Sequence, residues 1–267
     1  MYKITTIILA IMLIPNLCWA GADFDGVDDA VNCGSAASLD QLGPVTYSFW
    51  VYNESEGGGG QGTFIGKNVM GCRFSDPGIY ALRFFKSGTT GLNVISADNV
   101  VIVNTWHHVL YTWTGSTTAT TVHIYVDGTE VSYVTQTNGA TLNSDAVSNF
   151  IIGNIVLDSV RGVDGKMTEV AVWNMVLSAS QIALLASSRL KGMPLQLADP
   201  DADGVQELVL YLPMDEVTDT ASADLATFWD MSGNGNSGNP DNGAGNSGML
   251  GSAEVILNYP SSVLGGQ

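Results

Sequence analysis

The chain has 267 residues, with 9 Lys+Arg against 26 Asp+Glu, a formal net charge of −17 and a pI near 4.1. Only 13% of residues are charged and 45% are hydrophobic, which excludes a disordered acidic chain, and nine basic residues are too few for a broad footprint on nucleic acid. Gly, Thr, Val and Asn are abundant without Ala/Glu/Lys/Leu dominance, so a helical bundle is disfavoured and a β-rich globular protein remains.

Residues 1–20 stand apart. They hold Lys3, an unbroken apolar run over 7–14, the breakers Pro15 and Asn16, and small residues Cys18 and Ala20 at −3 and −1 of a cut. This is the pattern of a secretory signal peptide cleaved after Ala20, the alternative being a retained anchor. The run is too short for a bilayer, which needs ~20 apolar residues. The reading predicts a secreted, extracellular or periplasmic protein with no membrane span after cleavage. Cleavage removes Lys3 and no acid, so the negative imbalance deepens by one charge.

The chain then opens on grouped acids: Asp23, Asp25, Asp28 and Asp29. Asp25-Gly26 reads as a turn. Asp25 and Asp28 are candidate calcium ligands, and the plainer reading is that the acids cap and charge an edge strand. Cys33 and Cys72 form an even pair in an oxidising compartment. They are a disulfide candidate, with two buried thiols as the alternative. No Cys/His grouping has zinc-site spacing.

The body reads as strands. Residues 45–52 alternate, with Val45, Tyr47, Phe49 and Val51 on one face and Trp50 on the other, where it could line a concave sheet. After the Gly-rich loop 54–60, strands are expected at 63–65, 79–85 and 92–96. In 106–114, Val109, Tyr111 and Trp113 share a face. Strands at 121–126 and 129–134 flank Asp127-Gly128, a strong two-residue hairpin signal. Further strands are expected at 150–153 and 167–173. One helix is expected: Ser178 with Gln181 makes a capping box, followed by an apolar stripe of Ile182, Leu185 and Ala186. Turn signals at short intervals then favour a two-layer sandwich.

After Lys191 the composition shifts to loop. Asp199-Pro200-Asp201-Ala202-Asp203-Gly204 has the start of a calcium loop, with alternating carboxylates and a Gly for the sharp turn. Glu207 falls at loop position nine. Position twelve is Leu210, where a bidentate acid is needed, so the EF-hand form fails and a looser oxygen cage of Asp199, Asp201, Asp203 and Glu207 is left; the plain alternative is a solvated acidic turn. An apolar strand at 208–212, a Gly/Asn/Ser-rich stretch at 230–248 and a short apolar run at 255–257 close the chain.

Four motifs stand in order: Phe24-Asp25-Gly26-Val27-Asp28-Asp29, Trp106-His107-His108-Val109, Tyr125-Val126-Asp127-Gly128, and Gly165 to Asn174 leading into Leu177-Ser178-Ala179-Ser180-Gln181-Ile182. Their order resembles the laminin-G-like, concanavalin A-like lectin/glucanase domains. The resemblance implies an all-β jelly-roll sandwich of two antiparallel sheets with one short helix, a family often binding glycans or proteins and often holding calcium. It places Trp106 and Trp173 in the core and makes His107 and His108 structural; Trp113 and Trp229 stay undecided. The organisation expected is a signal peptide over 1–20, a laminin-G-like sandwich over 21–190, and a segment 191–267 completing it. In many relatives a segment like 208–216 precedes the Phe-Asp-Gly motif, whereas here it follows the helix. Either the strand order is permuted or a second domain is cut short. About 50 residues are too few for a second sandwich, which favours permutation.

Related glucanases carry Glu-x-Asp-x-x-Glu on one strand, but no Glu of this chain has Asp two positions later. There is also no Gly-x-Ser-x-Gly elbow. The reading is therefore a non-catalytic recognition module, calcium-assisted, binding a glycan or an extracellular protein. A structural subunit of an extracellular filament or virion, self-associating through sheet edges, is the first alternative. A divergent glycoside-active enzyme is the second.

Overall fold

Alternation in this sequence puts one apolar set inward on the longer strands, and two sheets close over it. The computed structural model describes residues 21–40, 43–155, 161–187, 191–215 and 227–241. The expected signal peptide and the apolar run at 255–257 lie outside the described residues. In chain order the strands are β1 (Ala22–Asp25), β2 (Ala30–Asn32), β3 (Val45–Asn53), β4 (Thr63–Gly66), β5 (Met70–Phe74), β6 (Leu82–Lys86), β7 (Gly88–Thr90), β8 (Leu92–Ser96), β9 (Trp106–Trp113), β10 (Val122–Val126), β11 (Thr129–Glu130), β12 (Tyr133–Thr137), β13 (Ala140–Leu142), β14 (Ile151–Ile152), β15 (Asp164–Trp173), β16 (Leu208–Leu212) and β17 (Asn239–Asp241). A single α-helix among the described residues, α1 (Ala179–Ser187), follows β15. No described helix is long and apolar enough to cross a membrane.

The first sheet runs β1-β15-β3-β9-β10-β11, with β16 pairing the other half of β15. The second runs β12-β8-β6-β5-β4-β14-β2-β17. All pairings are antiparallel, giving the expected jelly-roll sandwich of two sheets with one short helix. Tyr47, Phe49 and Val51 from β3 and Val109, Tyr111 and Trp113 from β9 meet Cys72, Phe74, Phe84 and Val94 from the second sheet in one core. Phe49 packs 5.1 Å from Phe64, and Phe84 lies 5.6 Å from Trp113. Trp113, undecided from sequence, is therefore a core residue.

The Asp127-Gly128 hairpin joins β10 to β11 with both residues at positive φ, 51° and 79°, the backbone of a type I′ turn. The capping box forms too: Ser178 N–H donates to Gln181 Oε1 at 2.8 Å, and Gln181 N–H reaches back to Ser178 Oγ at 3.4 Å. The expected strand at 79–85 begins only at Leu82. The reason is Glu56, whose carboxylate accepts the N–H groups of Gly78, Ile79 and Tyr80 and holds them in a turn. Tyr80 sits there at φ 44°.

The C-terminal segment belongs to both layers. Strand β16 pairs β15, then residues 230–236 run along the outer edge of β16. Asp230 Oδ1 accepts the Tyr211 N–H at 3.0 Å, and Asn236 Nδ2 donates to the Val209 carbonyl at 2.7 Å. The Asp230 carboxylate, side-chain amides and the Met231 N–H thus satisfy an edge that would otherwise stand open. Strand β17 then pairs β2 in the second sheet.

The disulfide candidate is corrected. Cys33 and Cys72 are both free and buried. Cys33 follows β2 and Cys72 lies on β5, with β14 and β4 between them. Three inter-strand steps of ~4.8 Å give a separation of about 14 Å, twice what a disulfide spans.

Candidate functional site

The chain's acids gather at two places. The first is the turn after β1. Asp25 Oδ1 accepts the Val27 N–H at 2.8 Å, and Asp29 Oδ2 accepts the Asp25 N–H at 2.9 Å. Gly26 takes φ 78° to make the turn, and the oxygens of Asp25, Asp28 and Asp29 come within 4.8 Å of one another. Asp29 is the buried member. Burial first, then the Asp25 charge, pushes its carboxyl up to about 7. The sequence named Asp25 and Asp28 as ligands; the structure adds Asp29. Asp23 turns away, 3.6 Å from Lys166 Nζ.

The second place is the loop before β16, where Asp199, Asp201 and Glu207 offer oxygens within 4.8 Å of one another. Asp199 accepts the N–H groups of Asp203 at 3.1 Å and Gly204 at 2.9 Å, which winds the loop around its carboxylate. Asp203 is not part of the cage: its Oδ1 accepts the Val205 N–H at 2.8 Å. Glu207 is fixed by its backbone, its N–H donating to the Ala198 carbonyl at 2.9 Å. Its Oε2 is closed off from solvent and has no hydrogen-bond partner. Burial, then the charges of Asp201, Asp203 and Asp199, hold its carboxyl above the usual range. A shielded oxygen without a partner, facing two more carboxylates, is a donor set that a hard cation such as calcium fits. Leu210 is fully buried on β16 and supplies nothing.

A third group was missed in the sequence. On the outer face of the first sheet, Ser48 and Trp50 on β3, His108 on β9 and Glu169 on β15 line a cavity of about 10 Å³ under Leu185, Met193 and Pro194. That is room for about one water. Ser48 Oγ lies 2.9 Å from His108 Nε2. Burial pushes the His108 imidazole down to about 4, so it is neutral near pH 7, and its Nδ1 is buried without a partner. A triad would place an acid on that nitrogen. Glu169 instead binds the Tyr211 hydroxyl and the Gly192 N–H. The signal that could have found this group is strand register, because Ser48 and Trp50 share a face and Trp50 pairs with His108.

This cover also corrects the reading of Trp50. It is 5% exposed, beneath α1 and the segment after it, and lines no open concave surface. His107 is structural in its geometry: its Nε2 accepts the Ile102 N–H at 3.2 Å, so Nδ1 carries the proton and donates to Asp127 at 2.8 Å. Trp173 is fully buried and donates to the Leu197 carbonyl at 2.6 Å. Trp106 is half-buried, 5.8 Å from Tyr52. Trp229 is 61% exposed.

A family model described as the concanavalin A-like lectin/glucanases superfamily matches residues 25–183. No curated protein matches the chain. Among solved structures, a candidate carbohydrate binding protein from Bacteroides ovatus ATCC 8483 is similar at TM-score 0.54 and 19% identity, over 84% of this chain and 58% of that one. Domains LG4-5 of the mouse laminin alpha1 chain are similar at TM-score 0.41 and 14% identity, over 57% of this chain and 40% of theirs. Domain 4 of an extracellular GH43 arabinanase from Geobacillus stearothermophilus, in complex with arabinotriose, is similar at TM-score 0.39 and 19% identity, over 55% of this chain and 69% of that one. The chain thus spans less than two thirds of the Bacteroides protein. Identities this low speak to the fold alone.

Proposed function

Because the chain belongs to the concanavalin A-like lectin/glucanases superfamily, we propose that it is an exported, non-catalytic recognition module that binds a glycan or an extracellular protein at a surface, with calcium assisting. The observation that carries the reading is the cage of Asp199, Asp201 and Glu207, with its shielded oxygen left over. When bound, calcium would supply a fixed positive charge and open coordination positions for ligand hydroxyls or carboxylates. The loop's own work is to hold the three carboxylates: Asp199 winds the turn and the Ala198 pairing fixes Glu207.

The non-catalytic part is supported by the enclosure of the Ser48–His108 pair. A nucleophile under α1, beside room for one water, meets no polysaccharide. The Bacteroides ovatus protein is named for carbohydrate binding, which makes glycans the first ligand class to test. The test is a glycan array on the secreted protein, with and without chelator, beside a polysaccharide hydrolysis screen. Binding that weakens on chelation, with no hydrolysis, is the expected result. Polysaccharide hydrolysis by the purified protein would overturn the non-catalytic reading, and an array blank under both conditions would overturn its glycan form.

A further inference from the structure

The outer face of the second sheet holds a concentration of positive charge that the rest of this acidic chain does not explain. Four of the nine basic residues are arginines, and three of them lie side by side there. Arg73 on β5 pairs directly with Arg83 on β6. Arg73 also pairs across to Thr63, and Thr63 N–H donates to the Arg161 carbonyl at 2.9 Å, so Arg161 continues the row. Strand alternation sets the side: Cys72 and Phe84 point into the core, so Arg73, Arg83 and Phe85 point out.

Like charges directly opposite on a sheet are destabilising. The buried and half-buried lysines elsewhere are paired with carboxylates. Among the described residues, no carboxylate lies within salt-bridge distance of these three arginines. Asp76, exposed, is the acid close enough to influence Arg73 and Arg83. Burial first, then Arg83 and Arg161, bring the Arg73 guanidinium down to about 10. Its Nε is buried without a partner, although the residue is only 4% exposed.

The row is nevertheless held in place. The Phe85 ring lies 5.6 Å from the Arg73 guanidinium and 5.5 Å from that of Arg83. It sits against Gly71, where a Cβ would come within 2.8 Å of the ring. Arg83 Nε donates to Asn93 Oδ1 at 2.6 Å. Arg73 donates through one terminal nitrogen to the carbonyls of Phe74 and Ser75. Positioned forks whose remaining N–H groups have no carboxylate match a planar anion. The neighbours suit a sugar: half-exposed Phe85 beside Asn93, and Thr135 across from Ile95. The molecule's net charge of −17 disfavours a long polyanion, because only a local patch is attractive within a Debye length of ~8–10 Å.

We propose that the outer face of the second sheet, at Arg83 and Arg161 with the buried Arg73 between them adding its charge, binds the carboxylate of an acidic oligosaccharide of the uronic-acid class. This rests on the recognition reading above, but its contacts are guanidinium N–H groups rather than carboxylates, so it does not need calcium. The test is calorimetric titration of the full chain with an oligogalacturonate, its methyl-esterified form, a sulfated oligosaccharide and an oligoaspartate peptide. Oligogalacturonate is expected to bind, to weaken with salt, and to be indifferent to chelator. Arg83→Gln and Arg161→Gln, both at half-buried positions, are each expected to cost at least tenfold in affinity while leaving Tm within a few degrees. Equal binding of the esterified form, or unchanged affinity in both variants, would overturn the proposal. Preference for the sulfated probe or the peptide would also overturn it, assigning the patch to sulfate or to a protein partner. If neutral glycans bind on the array and both arginine variants behave as wild type, the patch proposal falls while the recognition reading stands.

Discussion

Tyr211 on β16 donates its hydroxyl to the carboxylate of Glu169, 3.0 Å from Oε1 and 2.9 Å from Oε2. Glu169 is in β15 at φ 54°, where the pairing with β3 slips between Thr168 and Ala171. A bulge re-aims a side chain, and here the result is an acid shielded from water at the sheet's outer face. Burial raises its carboxyl from an ordinary 4.5 to about 7, against the lowering effects of the Gly192 N–H, the Tyr211 hydroxyl and Lys191. Asp29 is raised in the same sense, from 3.8 to about 7.

These two raised carboxyls fix the sign of the pH dependence. An acid whose folded pKa lies above its unfolded value takes up protons on folding between the two. Stability is then fullest below about pH 4 and falls as pH rises through 7, by up to ~1.4 kcal/mol for each tenfold gain in proton affinity on folding. Calcium-free protein is therefore expected to melt at a higher temperature at pH 5.5 than at pH 8. Glu169→Gln and Asp29→Asn should each flatten that slope. A double variant that keeps the wild-type slope in a pH series of melts would rule out these two carboxyls as its source.

The sandwich also buries charge. Lys86 Nζ lies 2.6 Å from Asp145, and Lys67 Nζ lies 2.7 Å from Asp40 and 3.8 Å from Asp145. The Lys67, Lys86 and Asp145 side chains are at most 5% exposed. Removing one partner of a buried pair strands the other charge. Asp145→Ala should cost ~3–5 kcal/mol, a fall in Tm of about 10 °C for a domain of this size. Replacing Lys86 and Asp145 together by Met and Leu should recover most of the loss. Equal destabilisation by the single and double variants in denaturant titration would contradict this account.

Features set by nearest neighbours were legible in the sequence. The alternation of 45–52 and 106–114, the Asp127-Gly128 turn and the Ser178–Gln181 cap all depend on residues a few positions apart, and each forms. What failed depended on distant partners. Strand β5, Met70-Gly71-Cys72-Arg73-Phe74, carries a Gly and an Arg that weaken its pattern, and it is held by pairing with β4 and β6. The open face expected at Trp50 vanished because α1 returns over it. At the candidate sites, spacing gave Asp25, Asp28, Asp199, Asp201 and Glu207. It also suggested Asp203, which local hydrogen bonding diverts to Val205, and it omitted Asp29, whose role depends on burial. Ser48, His108 and Glu169 lie on three strands, and no local signal joins them.

The cysteines give a clean chemical check. Both thiols are buried, and burial pushes each well above its ordinary range. A buried, protonated thiol reacts slowly. Without reductant, the native protein should give almost no reaction with a disulfide reagent. After unfolding, Cys33 and Cys72 should both react promptly. An unfolded, unreduced chain that yields no thiol at these positions would show a cross-link that this fold has no room to make.

The loop before β16 offers the most direct test of calcium. A cation bound to the folded state alone adds RT ln(1 + [Ca]/Kd), ~1.4 kcal/mol at ten times Kd. Extracellular modules hold calcium at about 10⁻⁴–10⁻³ M, so titration to 10 mM should raise Tm by a few degrees and EDTA should reverse it. Glu207 supplies the shielded oxygen and Asp201 a second carboxylate, so Asp201→Asn or Glu207→Gln should lessen the shift sharply. Asp203 lies outside the cage and holds the Val205 amide, so Asp203→Asn should retain most of it. Asp29→Asn separates the two acidic turns, since a response lost only in that variant would place the ion after β1. Asp201, Glu207 and Asp29 variants that all keep the full shift would exclude both cages as its origin.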